Sequence, residues 1–476
     1  EFMVKLLDDA IATPDADFPW AYDETTLQTE AGHWTKAGAM ALKARILQFA
    51  ASPLFNADQG YYGGTSEAEQ KHLVWYGAYK PEYWTRFKDA CKAFIDKLEA
   101  EGGYELVEAD GNRPQDYRLA FRTAYFEEGS PEVIHSVRYT NKPGSSYNWY
   151  SWIKNGRSAY AVTQEYVDMF PWSDGTPFDW DKAEQEGKLD KMFLTGDSVK
   201  GKTLLQNVTL TRDPRLYESV IVNGVMPTLD WTTAAMTGTP YEMWVGGSTA
   251  SNNPEKELGT YATGYVNQKY SFNEYGGHGL QWCTIRLSDV YLMYAEALIQ
   301  TNTSGDFSDA IQWIDKVRAR VGLKGLAESN PDKDLKHNKE NLLKELLRER
   351  ACELGFENAR YMDMVRYKLK GDFEKPLHGL RIFRMVKNPT TGKFERCDMQ
   401  WYKASKGQMF TCSDGTKVKV AYKDGVQQPT VFGYERFPLA NTARAWQGNF
   451  DPKWYLSSFK TTEINKGYGL VQNPGW

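Results

Sequence analysis

Residues 285–323 read IRLSDVYLMYAEALIQTNTSGDFSDAIQWIDKVRARVGL. Apolar side chains recur at helical spacing on both sides of TNTSGDF, residues 301–307, a short polar run rich in turn formers. The reading is a helix over 286–300, a turn, and a second helix over 308–321. So short a connection makes the two helices antiparallel neighbours. The pattern continues with ENLLKELLRERACELGF (340–356) and ARYMDMVRYKLK (359–370), two further amphipathic segments.

Helix pairs of this length resemble tetratricopeptide-type hairpins, which stack into a superhelix. Earlier in the chain, TKAGAMALKARILQFAA (35–51) reads as helix and stops at Ser52-Pro53. Pro81 opens another, with Trp84, Phe87, Cys91, Phe94, Ile95 and Leu98 on one stripe and Gly102-Gly103 at its end. Residues 104–285 differ. They are rich in Gly, Pro, Asn and aromatic residues, with strand-like runs EVIHSVRYT (132–140) and LYESVIVNG (216–224) and helical pieces near 163–170 and 181–192. Strand-like runs return over 380–437 as FERCDMQWYKA and TKVKVAYKDG, and 450–476 reads mostly as coil. The expected fold is mainly α: a tetratricopeptide-like superhelix carrying an irregular, loop-rich region with short β-strands. Its parts are a helical portion over 1–103, a ligand-binding loop region over 104–285, helical repeats over 286–370, and C-terminal strands and coil over 371–476, integrated as one domain.

The 476 residues carry 62 acids against 57 bases, a net charge of -5. With no basic run, that balance argues against nucleic acid as a partner. Mean hydropathy is -0.61, and no stretch approaches the ~20 apolar residues of a transmembrane helix. Aromatics reach 14%, with 16 Trp and 29 Tyr, many in turn-rich segments. Such rings join a flat apolar face to a polar edge, which suits a sugar-binding surface as well as an irregular core.

Five cysteines occur without a CxxC pair, which removes the usual zinc and thioredoxin signatures. Cys91 and Cys352 fall on apolar helix faces and read as small buried thiols. Cys397 and Cys412 flank an expected hairpin and are a candidate disulfide in an oxidising compartment. The opening EFMVKLLDDAIA has helical spacing at Phe2, Leu6, Leu7 and Ala10, with no cap or signal peptide before it, so the chain is expected to start inside a helix.

Motifs of catalysis are missing. The six histidines are scattered, and there is no HExxH, GxSxG, P-loop or GxGxxG. A glycosidase needs two carboxylates facing across a cleft. Asp174, Asp179, Asp230 and Glu242 lie near aromatics, but Asp174 sits in SDGT, an ordinary turn sequence. No catalytic residue, metal ligand or cofactor is assigned, and no EF-hand pattern is present. RERACELGFENARYMDMVRY (348–367) alternates Arg with Glu and Asp. It reads as a helix–helix salt-bridge network, with an anion site as the sharper alternative.

These helices, with GHWTKAGAMALKARILQFAASPLFN (32–56), TQEYVDMFPWSDGTPF (163–178), TRDPRLYESVI (211–221) and the terminal GLVQNPGW (469–476), resemble the SusD/RagB family in family order along the whole chain. The resemblance implies a surface glycan-binding lipoprotein of Bacteroidetes-type nutrient uptake, binding oligosaccharide or polysaccharide without catalysis. It implies an outer-membrane, cell-surface location and a SusC-like TonB-dependent transporter as partner, with membrane attachment through a lipidated N-terminal cysteine. The signal, that cysteine and the first helical segments are not in this sequence, whose EFMVKLLDDAI resembles a helix well inside the family's chain. LSSFKTTEI (456–464) also departs from the family's usual Pro-Ile-Pro-like run.

SYNWYSW (146–152) then acquires a place, in the loop between the EVIHSVRYT strand and the TQEYVDMF helix. Tyr147, Trp149 and Trp152 from this loop, with Trp231, Tyr241 and Trp244 from the loop 225–255, are the expected ligand-binding rings. Trp149 and Trp152 lead. They share a face in a helical turn and oppose each other in a strand. Packing onto the frame or contact with the transporter are the alternative uses of these rings. A peptide ligand, a glycoside hydrolase with an aromatic cleft, and a ligand-free lid for the transporter are the competing functions.

Overall fold

The structure is a computed structural model. It describes residues 1–23, 25–30, 32–127, 129–139, 161–195, 209–225, 241, 243–245, 262–270, 280–397, 409–419, 432–440 and 446–476. The helices that build the frame are α1 (Phe2–Ile11), α2 (Lys36–Ala51), α3 (Glu82–Glu101), α4 (Pro114–Phe126), α5 (Gln164–Met169), α6 (Pro214–Ser219), α7 (Leu287–Thr301), α8 (Ser308–Ala319), α9 (Lys339–Glu353) and α10 (Ala359–Arg366). The main strands are β1 (Val133–Tyr139), β2 (Leu280–Arg286), β3 (His378–Lys387), β4 (Phe394–Cys397) and β5 (Phe432–Pro438).

The quoted stretch forms α7 and α8 as expected, and α7 is the hub. It packs on α2 and α3 on one side and on α8 and α9 on the other. That explains why its stripe is broad: Leu287, Val290, Leu292, Met293, Ala295, Ala297 and Ile299 are all fully buried. Each large apolar side chain so buried contributes roughly 1.5–3 kcal/mol. One apolar core joins α1, α2, α3 and α7; a second joins α7, α8 and α9. Thr35 caps α2 by accepting the Gly38 amide at 3.1 Å, and Ser52 in extended conformation ends it.

A third core lies in the irregular region. Val167, Phe170, Phe193, Leu216, Tyr217 and Tyr265 meet Leu380, Ile382 and Phe432 there. The last three come from a three-stranded antiparallel sheet of order β5-β3-β4, so the C-terminal sheet and the loop region share one interior. Gly264 seals the contact. Its φ is +77°, and a Cβ there would sit 2.3 Å from the Leu380 carbonyl oxygen, so only glycine fits without displacing β3.

Several sequence expectations are corrected. The run 216–224 is not one strand: Pro214 and the Asp213 carboxylate, which accepts the Arg215 amide at 2.9 Å, start α6, and only Val220–Ile221 are extended. The helical piece 181–192 is a helix Trp180–Gln185, then a separate 3-10 turn Leu189–Lys191, divided at Gly187 with φ +66°. Helix α4 lies within the region read as irregular, started by Pro114 and a reciprocal bond between the Arg113 amide and Asp116. The expected helix 359–370 ends at Arg366, where Lys368 takes φ +53°. Cys397 and Cys412 are both free, buried thiols; Cys397 Sγ accepts from Arg384 Nη2 at 3.0 Å.

Candidate functional site

The alternating Arg and Glu residues of α9 and α10 point inward, and the residues they meet come from the whole chain. Glu353, fully buried, accepts Arg215 Nη1 at 2.9 Å and Arg286 Nη1 at 2.5 Å, and also pairs with Arg320. Glu349 pairs with Arg215 at 2.7 Å and Arg318 at 2.8 Å. Glu132, just before β1, takes Arg286 at 2.7 Å and Arg320 at 3.2 Å. Glu357 takes Arg286 at 3.0 Å and Lys269 at 2.5 Å. A neighbouring cluster ties Arg350 to Asp289 and Asp363, and Arg366 to Glu296 and Asp363.

Burial alone pushes the Glu353 carboxyl up, but the guanidiniums of Arg320, Arg286 and Arg215 outweigh it and hold the group well below the usual carboxylate range. The network is thus structural glue, as the sequence pattern suggested, and it consumes the charges an anion site would need. It clamps α6, β1, β2 and the segment around Lys269 onto the helical repeats.

That clamp positions the β1–β2 ladder, whose last pair is Tyr139 with Leu280. In sequence, residues 140–145 separate β1 from the SYNWYSW segment, and both stretches lie outside the described residues. On β1, His135 stacks under Trp34, with ring centroids 3.8 Å apart and planes 12° from parallel. His135 Nδ1 bonds Thr284 Oγ1 at 2.5 Å, and burial lowers its pKa, which favours the neutral ring. Trp34 stays 41% exposed, a ring with accessible surface stacked on β1. Beside it, a hollow of about 100 Å³ is lined by Tyr22, Thr35, Tyr104, Ser136 and Gln281. Ser136 Oγ donates to Gln281 Oε1 at 3.1 Å. An aromatic face next to hydroxyl and amide groups can stack against one face of a sugar; a hollow of this size does not enclose one.

Larger hollows lie elsewhere, two of them of about 650 Å³ or more. One, about 650 Å³, is walled by Leu42, Ile46, Trp75, Tyr76, Tyr83 and Met362 over the Arg45–Asp289 pair. The other, about 710 Å³, is polar and lies between Trp172 and the Asn330–Lys333 turn.

Of the rings expected to bind ligand, Tyr147, Trp149, Trp152 and Trp231 lie outside the described residues. Tyr241 and Trp244 are core residues, 8% and 2% exposed. Trp244 packs on Phe432 at 5.2 Å. Their segment is pinned by bonds from Tyr241 N to Val225 O at 3.1 Å and from Val245 N to Ile382 O at 2.7 Å. Neither ring has a free face, so both are withdrawn from the site. Asp174 accepts the Thr176 amide and Asp179 the Lys182 amide; both carboxylates serve local turns and caps, while Asp230 and Glu242 lie outside the described residues. Trp34 was missed. Its signal was an aromatic placed just before a Thr cap, a position with little core to fill.

Among the described residues, no helix is long and apolar enough to cross a membrane. Glu395, Cys412 and Asp414 converge closely enough to hold an ion, but the two carboxylates already accept the Ser413 and Thr416 amides.

The solved structure of a SusD-like protein from Bacteroides fragilis, BF3747, aligns with 99% of this chain and 70% of its own, at 19% identity and a TM-score of 0.59. BT4246 aligns with 99% of this chain and 75% of its own, at 19% identity and a TM-score of 0.63. Both likenesses concern the fold. No curated protein sequence matches the chain. The sequence profile of the SusD family matches residues 121–476, from within α4 to the last residue, a span that includes every residue named above in the ionic clamp. By that match, the chain belongs to the SusD family.

Proposed function

We propose that this chain is a cell-surface glycan-binding protein that captures oligosaccharide without turning it over and delivers it to a SusC-like TonB-dependent transporter in the outer membrane. The observation that carries the reading is the family match over residues 121–476. The composition agrees with it: rings are abundant, and no catalytic motif accompanies them. The proposed platform is Trp149 and Trp152, with Tyr147 and Trp231 as further contacts and Trp34 at its base. Each stacked ring contributes on the order of 0.5–1.5 kcal/mol beyond area burial, by analogy with aromatic pairs. Two or three rings give micromolar to millimolar affinity, which suits a protein that must release what it captures.

The test is calorimetry and Trp fluorescence against starch, mannan, xylan and mucin glycans, with Trp149→Ala, Trp152→Ala and Trp34→Ala beside the unaltered chain. Binding that falls in the first two variants at unchanged helicity supports the platform. Retained binding in all three moves the site elsewhere on the molecule. Release of shorter sugars during incubation, abolished by one Asp or Glu change, would make the protein a hydrolase. Absence of glycan binding would sink the capture reading and leave a peptide ligand or a lid role.

A further inference from the structure

The polar cleft of about 710 Å³ lies away from the β1–β2 edge, on the seam where the SDGT loop docks against the helical repeats. Gly175 O accepts from Arg318 Nη2 at 3.2 Å, and the same group donates to Ser329 Oγ at 3.2 Å, so the two walls are fixed to each other. Trp172 borders one wall. Its backbone amide donates to Thr176 O at 2.8 Å, and it bridges to Arg212. The Arg212 guanidinium lies 5.6 Å from its ring centroid. The ring is therefore held in place while remaining only half-buried.

Asn330 lines the opposite wall and is 4% exposed. Its Nδ2 donates to Leu326 O at 2.9 Å, which fixes the amide's orientation. Its Oδ1 is left buried with no partner among the described residues. Such an acceptor carries a desolvation cost until a donor reaches it. A second hollow of about 560 Å³ shares Asn330 and Pro331 and continues past Gln312 and Asp315. The two hollows adjoin at Asn330 and Pro331, and are taken together as one groove. Four carboxylates and four lysines line the larger cleft, so its charge is balanced and a neutral ligand is favoured over an ion.

We infer that this groove is a second saccharide subsite, in which a neutral, hydroxyl-rich sugar unit lies beside the Trp172 ring and donates a hydroxyl to Asn330 Oδ1. The ligand class rests on the glycan-capture reading above; the place does not coincide with the proposed loop platform. A linear oligosaccharide matches an open groove with acceptors and donors along its length.

The experiment uses the full chain labelled with 5-fluorotryptophan, with the Trp172 resonance assigned through Trp172→Phe. Each glycan of the panel is titrated into the unaltered chain and into the Trp149→Ala/Trp152→Ala chain. The expected result is a saturable shift of the Trp172 resonance in both, lost in Asn330→Ala at unchanged circular dichroism. Should Asn330→Ala not fold, Lys191→Ala/Asp332→Ala replaces it, removing one lysine and one carboxylate of the larger cleft's lining, with the shift weakened at least threefold. A glycan that binds the unaltered chain while Trp172 stays unshifted overturns the subsite and leaves the capture reading standing. A panel in which no glycan binds by calorimetry and Trp172 never shifts overturns both.

Discussion

Replacing Glu353 by Gln is the most direct probe of the clamp. Glu353 is fully buried and faces three guanidiniums, Arg215 from α6, Arg286 from the end of β2, and Arg320 after α8. Gln keeps the shape, but removes the charge and turns one acceptor into a donor aimed at donors. Arg286 retains Glu132 and Glu357, and Arg215 retains Asp213 and Glu349, so the loss falls hardest on Arg320, left with Glu132. Breaking a buried pair in this way costs about 3–5 kcal/mol. Unfolding entropy near 2.1 cal/mol/K per residue gives about 1 kcal/mol/K for a chain of this length, so Tm should fall by about 3–5 °C. The control is Glu340→Gln, which removes an exposed pair with Lys344 and should leave Tm unmoved. The pH dependence adds a second reading. A carboxyl held below its unfolded value stabilises fully above about pH 4.3, and that contribution is lost as pH falls further. The gap between Glu353→Gln and the unaltered chain should therefore narrow on acidification below pH 4.3. Differential scanning calorimetry at neutral and acidic pH measures both. A neutral-pH Tm within about 1 °C of the unaltered chain would refute the argument that the clamp depends on this charge.

Other outcomes follow from single sites. Asp168 behaves oppositely to Glu353: burial raises its carboxyl from 3.8 to about 6, so ionisation destabilises the fold as pH rises through that window, by up to about 3 kcal/mol. Asp168→Asn should raise Tm at pH 7 and leave it nearly unchanged at pH 3; an equal effect at both values would remove the burial argument. Gly264→Ala should lower Tm through at least about 1–2 kcal/mol of left-handed backbone strain, more as the Leu380 carbonyl is displaced, and a thermal melt of that variant decides it. All five cysteines are buried and free, so a thiol reagent should label none in the native protein and five in denaturant without reductant. Three labelled thiols would restore the Cys397–Cys412 pair.

The helical frame was legible because its signals are local. In α3 the apolar stripe, the opening Pro81 and the closing Gly102 all lie within one element, and the structure reproduces them. The Arg–Glu alternation of α9 was legible for the same reason, though its partners were not: Glu353 meets Arg215 across 138 positions, a separation that periodicity does not encode. Helix α6 was misread because Leu216–Ile221 has strand composition, while the deciding features, Asp213 and Pro214, sit before it. Trp244 was misread because a ring in a turn-rich segment looks exposed; a bond from the neighbouring Val245 to β3 pulls it inside. Trp34 was overlooked because its partner His135 lies a hundred residues away and makes no pattern with it.

The two kinds of interior have different consequences for the proposed capture role. Between α7, α8 and α9 the contact is apolar and non-directional, and it tolerates small shifts in register. Between α9 and the segments that launch the loops the contact is charged. A guanidinium between two carboxylates, as Arg286 is between Glu132 and Glu353, fixes both distance and direction. An irregular region has no periodic apolar stripe with which to find its register, so directional bonds supply what packing cannot. If the proposed platform rings are carried by such a region, they start from a fixed base, and less ordering free energy is lost on binding. The clamp and the platform should accordingly separate in experiment: changes at Glu353 lower Tm before they alter affinity, and changes at Trp149 or Trp152 do the reverse. A Trp152→Ala chain that melts several degrees early would mean that the ring is part of the frame, and would move the platform off the SYNWYSW loop.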